Sequence, residues 1–344
     1  MRKLLTILGV LIAAHVALSF VPARGATAEA DSNAVRVGIV FDVGGRGDKS
    51  FNDGAYVGGD SATKVLGARV TFIEPGDGTD REAGLRLLAA EGMDLVIGVG
   101  FIFTDDIAAL AKEYPNTRFA GVDYALNVDN KGTVILPPAN LVALKFREEE
   151  GSFLVGALAA LVGKSKKLGF VGGMDSPLIR KFAAGYTAGV KHVCPDCEVM
   201  AQYAGVTPAA FRNPGRGKEL ALSQFQQGVN VIFHASGSTG LGVFEAARSM
   251  NRLAIGVDGD QYREAPGYVL TSMVKRVDAA VFDAIKRVKD KRFAGGVAAY
   301  GLAEDGVAYV YDEHNRGMIP ESARARVETL RREIIAGKIK VPAS

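Results

Sequence analysis

Along most of the chain, short apolar runs alternate with stretches in which apolar residues recur every three or four positions. The short runs, rich in Val and Ile, predict strands at 35–41, 69–73, 95–99, 118–121, 167–172, 199–203, 231–233 and 253–257. Helical spacing fills the intervals at 52–66, 79–91, 104–114, 148–162, 177–192, 215–227 and 241–250. Strand–helix alternation of this kind predicts an α/β fold, with parallel sheets buried on both faces.

The alternation pauses over 127–147, where Pro137 and Pro138 sit in a non-helical stretch, and then restarts. A chain of 344 residues also exceeds what one hydrophobic core comfortably serves. The expected architecture is therefore two doubly wound lobes with a ligand cleft between them. Residues 34–145 with about 275–295 would form the first lobe, and 146–274 with about 296–344 the second. The apolar segment 151–162 is too short to span a bilayer and reads as a helix buried at a lobe core or hinge. The charged stretch 320–337 has the spacing of a solvated amphipathic helix.

The N-terminus stands apart. Arg2 and Lys3 precede an apolar run over 4–20, and Ala26-Thr27-Ala28 follows, the pattern of a secretory signal cleaved after Ala28. An uncleaved anchor helix is the alternative, but the run is short for one and contains His15 and Ser19. No cysteine lies near the cleavage site, so a diffusible periplasmic protein without a lipid anchor is expected. Removing Arg2, Lys3 and Arg24 from the 41 basic residues leaves 38, equal to the 38 acidic ones. Such a balance offers no broad attraction for nucleic acid or anionic membrane.

The cysteines, Cys194 and Cys197, lie in Cys-Pro-Asp-Cys. A redox pair or half a zinc site would be the cytosolic readings. His192, His234 and His314 supply no ligand-like spacing to complete zinc, and in an oxidising compartment a disulfide closing a helix-to-strand turn is favoured.

Ligands of open α/β sheets sit beyond the carboxyl ends of the strands, so polar and glycine clusters there are the informative ones. The first runs from Asp42 through Gly44, Gly45, Gly47, Asp48, Lys49, Ser50, Phe51 and Asn52 to Asp53. Its glycines permit close backbone approach, and Asp48, Ser50 or Asn52 could cap the helix that follows. It is neither a Walker loop nor a dinucleotide turn. Further clusters are Gly98-Val99-Gly100-Phe101, Gly121-Val122-Asp123-Tyr124, the stretch 234–242 containing Ser236 and Gly237, and Gly256-Val257-Asp258-Gly259-Asp260-Gln261. Asp42, Asp123 and Asp258 thus end strands in both halves, as a cleft for an oxygen- and nitrogen-rich ligand requires.

Catalysis finds little support: there is no G-x-S-x-G elbow, no H-E-x-x-H and no Cys–His arrangement that reads as a nucleophile pair. His234, after an apolar strand, reads as a satisfied core histidine. Phe211 lies in a loop after a strand, either as packing or as a stacking surface for a planar base.

These residues resemble the basic membrane protein family of bacterial purine-nucleoside-binding receptors. The resemblance runs through Val37–Gly45, Asp48–Asn52, Gly172-Gly173-Met174, Ser236–Gly242, Ala254–Gln261, Thr271–Arg276 and Gly337–Pro342. It implies a ribose-binding-type fold, with no cofactor and no metal. It further implies that Asp258 and Lys275 engage ribose hydroxyls, that Asn52 and Asp123 read the base edge, and that Phe211 stacks on its face. Gly237 would admit close backbone approach, and Tyr56, one turn after Asn52, would supply a second stacking surface. Asp42, Ser50, Phe51, Gly100 and Phe101 complete the expected site.

The resulting expectation is a monomeric periplasmic receptor delivering a purine nucleoside to an ABC permease. A sugar or other polar solute is the alternative ligand. A nucleoside hydrolase or phosphorylase would need an activated nucleophile or metal set. A cytosolic regulator on the same scaffold would need a helix-turn-helix at its start.

Overall fold

The computed structural model describes residues 34–76 and 80–344. The expected signal segment, residues 1–28, and Thr79, the expected start of one helix, lie outside the described residues.

The first sheet contains β1 (Arg36–Val40), β2 (Arg69–Ile73), β3 (Leu95–Val99), β4 (Arg118–Val122) and β5 (Leu141–Phe146). Its helices are α1 (Phe51–Leu66), α2 (Arg81–Ala90) and α3 (Thr104–Glu113). The second sheet contains β6 (Lys167–Met174), β7 (Glu198–Gly205), β8 (Val231–Ala235), β9 (Leu253–Asp258) and β10 (Val269–Lys275). With it go α4 (Glu148–Val162), α5 (Pro177–Val193), α6 (Pro214–Gln226) and α7 (Gly240–Ser249). The chain ends with α8 (Val277–Lys289), β11 (Gly296–Tyr300), β12 (Val307–Tyr309) and α9 (Glu321–Ile335).

The sheet orders are β11-β5-β4-β3-β1-β2 and β12-β10-β9-β8-β6-β7. Every pairing is parallel except β10 with β12. Strands such as β3, Leu-Val-Ile-Gly-Val, are buried along their whole length because helices cover both faces. Within each lobe the core strands follow the doubly wound order 2-1-3-4-5, which opens a crevice at the carboxyl ends between the first and third strands.

The pause over 127–147 contains β5, and β10, α8, β11 and β12 were not expected as elements. Residues 296–300, expected in the second lobe, instead form β11 beside β5 in the first sheet. The chain passes between the sheets near Arg147, near Arg276 and over 301–306. These crossings are tied together: Arg147 N–H donates to Tyr300 O at 2.9 Å, and Arg276 N–H to Gly306 O at 2.9 Å. Helix α8 returns to the first lobe, with Val281 packed beside Gly58 of α1. Helix α4 is almost wholly buried against α5, as its apolar sequence demands. Helix α9 buries Ala323, Val327, Leu330 and Ile334, the single stripe of an amphipathic helix.

Candidate functional site

Both crevices face one another, and the loops beyond the strands form the walls of one cleft. Its free space, counted together with the solvent open to it, is about 540 Å³.

The first-lobe wall is built by the loop after β1. Asp48 caps α1, its carboxylate accepting from the N–H groups of Ser50 (3.0 Å), Asn52 (2.9 Å) and Asp53 (3.2 Å). Neither Ser50 nor Asn52 caps the helix by side chain, because both are engaged elsewhere. Asn52 Oδ1 accepts from Asp42 N–H at 2.9 Å and its amide nitrogen donates to Asp48 at 3.2 Å. Asn52 is thereby held rigidly at the cleft surface. Burial pushes the Asp42 carboxyl up to about 7, against the pull of the Val43 N–H bond. Gly100 lies against it: a Cβ there would fall 2.5 Å from Asp42 Oδ2. Phe51, Phe101 and Asp123 complete this wall. Asp123 adopts φ 59°, a left-handed conformation that non-glycine residues take at a cost.

The second-lobe wall mirrors it. Asp258 ends β9 with φ 66°, and Ser236 and Gly237 (φ 55°) follow β8. Phe211 closes a short turn, Pro208–Phe211, and its ring lies over Gly173, where a Cβ would come within 2.4 Å of it. Leu178, Ile179 and Phe182 add an apolar surface from the start of α5, which Ser176 caps at Ile179 N–H and Pro177 begins. Those residues were missed from sequence, although Ser-Pro directly after β6 marks another helix start at a strand end.

Three contacts cross the cleft. Ser50 donates its hydroxyl to Asp258 Oδ2 at 2.5 Å. The rings of Phe101 and Phe211 meet edge to face with centroids 6.4 Å apart. Lys275 Nζ, at the end of β10, lies 2.6 Å from Asp123 Oδ2 and 3.1 Å from Glu148 Oε1. Lys275 is boxed by the faces of Phe51, Phe146 and Phe182, with Nζ 4.9–5.6 Å from their centroids. Burial alone would discharge it, but Asp123, Glu148 and Asp258 outweigh burial and hold it charged. Burial likewise raises the Glu148 carboxyl, yet Lys275 and Lys181 together keep it below the usual range. Glu148, buried at the start of α4, was not foreseen. Asp258 is pushed up to about 7, with burial prevailing over Lys275 and the Ser50 hydroxyl. Asp123 Oδ1 is buried without a hydrogen-bond partner among the described residues.

The structure therefore gathers Asp42, Phe51, Asn52, Gly100, Phe101, Asp123, Phe211, Gly237, Asp258 and Lys275 around one space, with Ser50 at its edge. Tyr56 is the exception. It sits one turn further along α1, about 6 Å from Asn52 along the axis. Its ring packs on Phe72, centroids 4.9 Å apart, under the Arg46 guanidinium at 3.3 Å. The aromatic facing Phe211 across the cleft is Phe101. Cys194 and Cys197 form a disulfide in the turn between α5 and β7, at the end of the strand away from the cleft.

Residues 35–344 match the Bmp family, described as ABC transporter substrate-binding protein PnrA-like. An uncharacterized lipoprotein of Pyrococcus abyssi is 36% identical over 326 residues, 90% of this chain and 77% of its own. The ABC transporter nucleoside-binding protein BmpA of Lactococcus lactis subsp. cremoris is 32% identical over 330 residues, 90% of this chain and 89% of its own. Among solved structures, an ABC transporter system solute-binding protein from Aeropyrum pernix K1 superposes with a TM-score of 0.80 at 32% identity, covering 90% of this chain and 94% of its own. The lipoprotein name of the Pyrococcus relative runs against the unanchored protein expected from the sequence. No helix among the described residues is long and apolar enough to cross a membrane. The family comprises extracytoplasmic receptors for ABC transporters rather than enzymes, and this chain belongs to it as a PnrA-like substrate-binding protein.

Proposed function

We propose that the cleft captures a purine nucleoside in the periplasm and that the protein, as a monomer, delivers it to an ABC permease of the inner membrane. The observation that carries this reading is the mixed chemistry of the cleft lining. Phe101, Phe211, Leu178 and Ile179 supply apolar surface suited to a flat base, while Asp258, Asp123, Ser236 and Lys275 supply polar groups suited to ribose hydroxyls and a base edge. In this reading Asp258 accepts from vicinal hydroxyls, Lys275 donates to one of them, Asn52 and Asp123 meet polar base edges, and Phe211 stacks on the base. A free sugar would leave the apolar lining facing nothing of its own kind. The nucleoside-binding name of the Lactococcus relative supports the same ligand class. The lobes separate about the crossings near Arg147, Arg276 and 301–306 to admit the ligand, and their closed surfaces dock the permease.

The test is native mass spectrometry of ligand carried through purification, followed by calorimetry with inosine, guanosine, adenosine, uridine and ribose. A purine nucleoside is expected to bind far more tightly than ribose. Equal or tighter binding of ribose would make a sugar the ligand.

A further inference from the structure

A buried chain of hydrogen bonds runs from the backbone of β9 to the cleft wall. Val257 N–H donates to Gln261 Oε1 at 2.8 Å. A backbone N–H can only donate, so the Gln261 atom it meets is the oxygen. That same oxygen lies 3.0 Å from His234 Nε2. Since the oxygen can only accept, Nε2 carries the ring proton. Burial pushes His234 down to about 4, with the Gln261 bond opposing, so the ring is neutral and Nδ1 holds a lone pair. Ser236 Oγ lies 3.2 Å from Nδ1, and its hydroxyl is the donor there. The hydroxyl has one proton, and it is spent on the histidine.

A turned imidazole would lose both bonds, and the ring is closely packed where it lies. A Cβ on Gly240 would fall 2.0 Å from its Cε1, and Phe244 meets the ring edge-on with centroids 5.0 Å apart. Gln261 Nε2 is left buried without a partner among the described residues, a cost accepted to keep the oxygen between Val257 and His234. Ser236 itself lines the cleft beside Gly237 and Asp258.

We propose that His234 is a positioning residue that makes Ser236 an acceptor toward the ligand, so that the cleft selects a hydrogen-bond donor at that point. Ser236 then acts with Asp258 and the unpartnered Oδ1 of Asp123, and Lys275 is the charged donor among them. The wall is matched to a neutral, hydroxyl-rich group and mismatched to a phosphate. This inference rests on the nucleoside reading for the identity of the group selected, but not for the relay itself.

Two measurements test it. Nitrogen-15 NMR of histidine-labelled, ligand-free protein should show His234 protonated at Nε2 and unchanged between about pH 5 and 9. A proton on Nδ1, or a ring that titrates in that window, overturns the relay. Calorimetry then compares inosine with its 2′-deoxy, 3′-deoxy, 5′-deoxy and 1-methyl analogues. One missing donor should cost the wild type roughly tenfold more affinity than it costs Ser236→Ala. His234→Phe, which preserves ring shape, should weaken inosine in the wild-type background and leave its affinity unchanged in Ser236→Ala. Equal losses in both backgrounds would make His234 a packing residue and overturn the proposal, as would analogue losses that Ser236→Ala leaves intact. Failure of every nucleoside to bind would sink the nucleoside reading alone, because the spectrum judges the relay without any ligand.

Discussion

Lys275 and Asp123 belong to different lobes and meet at 2.6 Å with side chains only 1% and 4% exposed. Residues 152 positions apart in sequence thus make a buried ion pair at the base of the cleft, and Glu148 reinforces it from the first turn of α4. Asp258, the other acid expected beside Lys275 in the site, accepts the Ser50 hydroxyl at Oδ2.

Removing the ammonium should therefore be costly. Lys275→Met leaves Asp123 buried without its ion-pair partner and Glu148 with Lys181 alone, and breaking such a buried pair costs about 3–5 kcal/mol. Urea unfolding should show a loss of that order, together with loss of ligand binding. An unchanged midpoint would contradict the buried pair.

Binding should depend on pH through Asp258. Its folded value of about 7 is above the ordinary 3.8, so the folded protein holds a proton that the unfolded chain releases. The associated stability is present below about pH 4 and is lost as pH rises through 7. Ligand hydroxyls donate to the ionised form, so affinity moves the other way. It should be roughly tenfold lower at pH 6 than at pH 8. Asp42, also near 7, adds to the stability slope, so the comparison is with Asp258→Asn. Calorimetry in which the variant keeps the full dependence would exclude Asp258 as the group responsible.

Phe211→Ala should weaken nucleoside binding by about 1–3 kcal/mol, the usual worth of stacking on an aromatic. The fold should survive, because the ring is only partly buried and packs against the core from its edge at the cleft. Gly173→Ala should act in the same direction by displacing the ring. Normal affinity in both variants would reduce Phe211 to packing.

The Cys194–Cys197 disulfide closes a turn remote from the cleft. Replacing both with Ser should cost about 2 kcal/mol by the loop-entropy relation and leave ligand affinity unchanged. Intact mass should show no free thiols in exported protein; two free thiols would refute the bridge.

Cleavage after Ala28 would make Glu29 the first residue of the mature protein. N-terminal sequencing of the periplasmic fraction should return Glu29. Recovery of full-length chain in membranes would establish the anchored form instead.

Most strands and helices were legible because their periodicities are local, and Asp42, Asp123 and Asp258 were legible because each directly follows an apolar run. Helix α8 and strands β5, β10, β11 and β12 were less so. β5 follows a proline-interrupted crossover without a helix, and β11, Gly-Val-Ala-Ala-Tyr, is short with every other residue exposed. Ser236 and His234 stood out as types, but their roles emerge only where Gln261 and Val257 join them.

The amino-acid sequence by itself determined a doubly wound α/β protein, the strand ends bearing acids and glycines, and the family to which those residues belong. Tertiary structure alone decided that Lys275 faces Asp123, that Phe101 rather than Tyr56 opposes Phe211, and that 296–300 completes the first sheet. The reason is physical. Periodicity reports which side of its own element a residue occupies, whereas opposition across a cleft depends on strand order and on three separate crossings, and no local pattern encodes either.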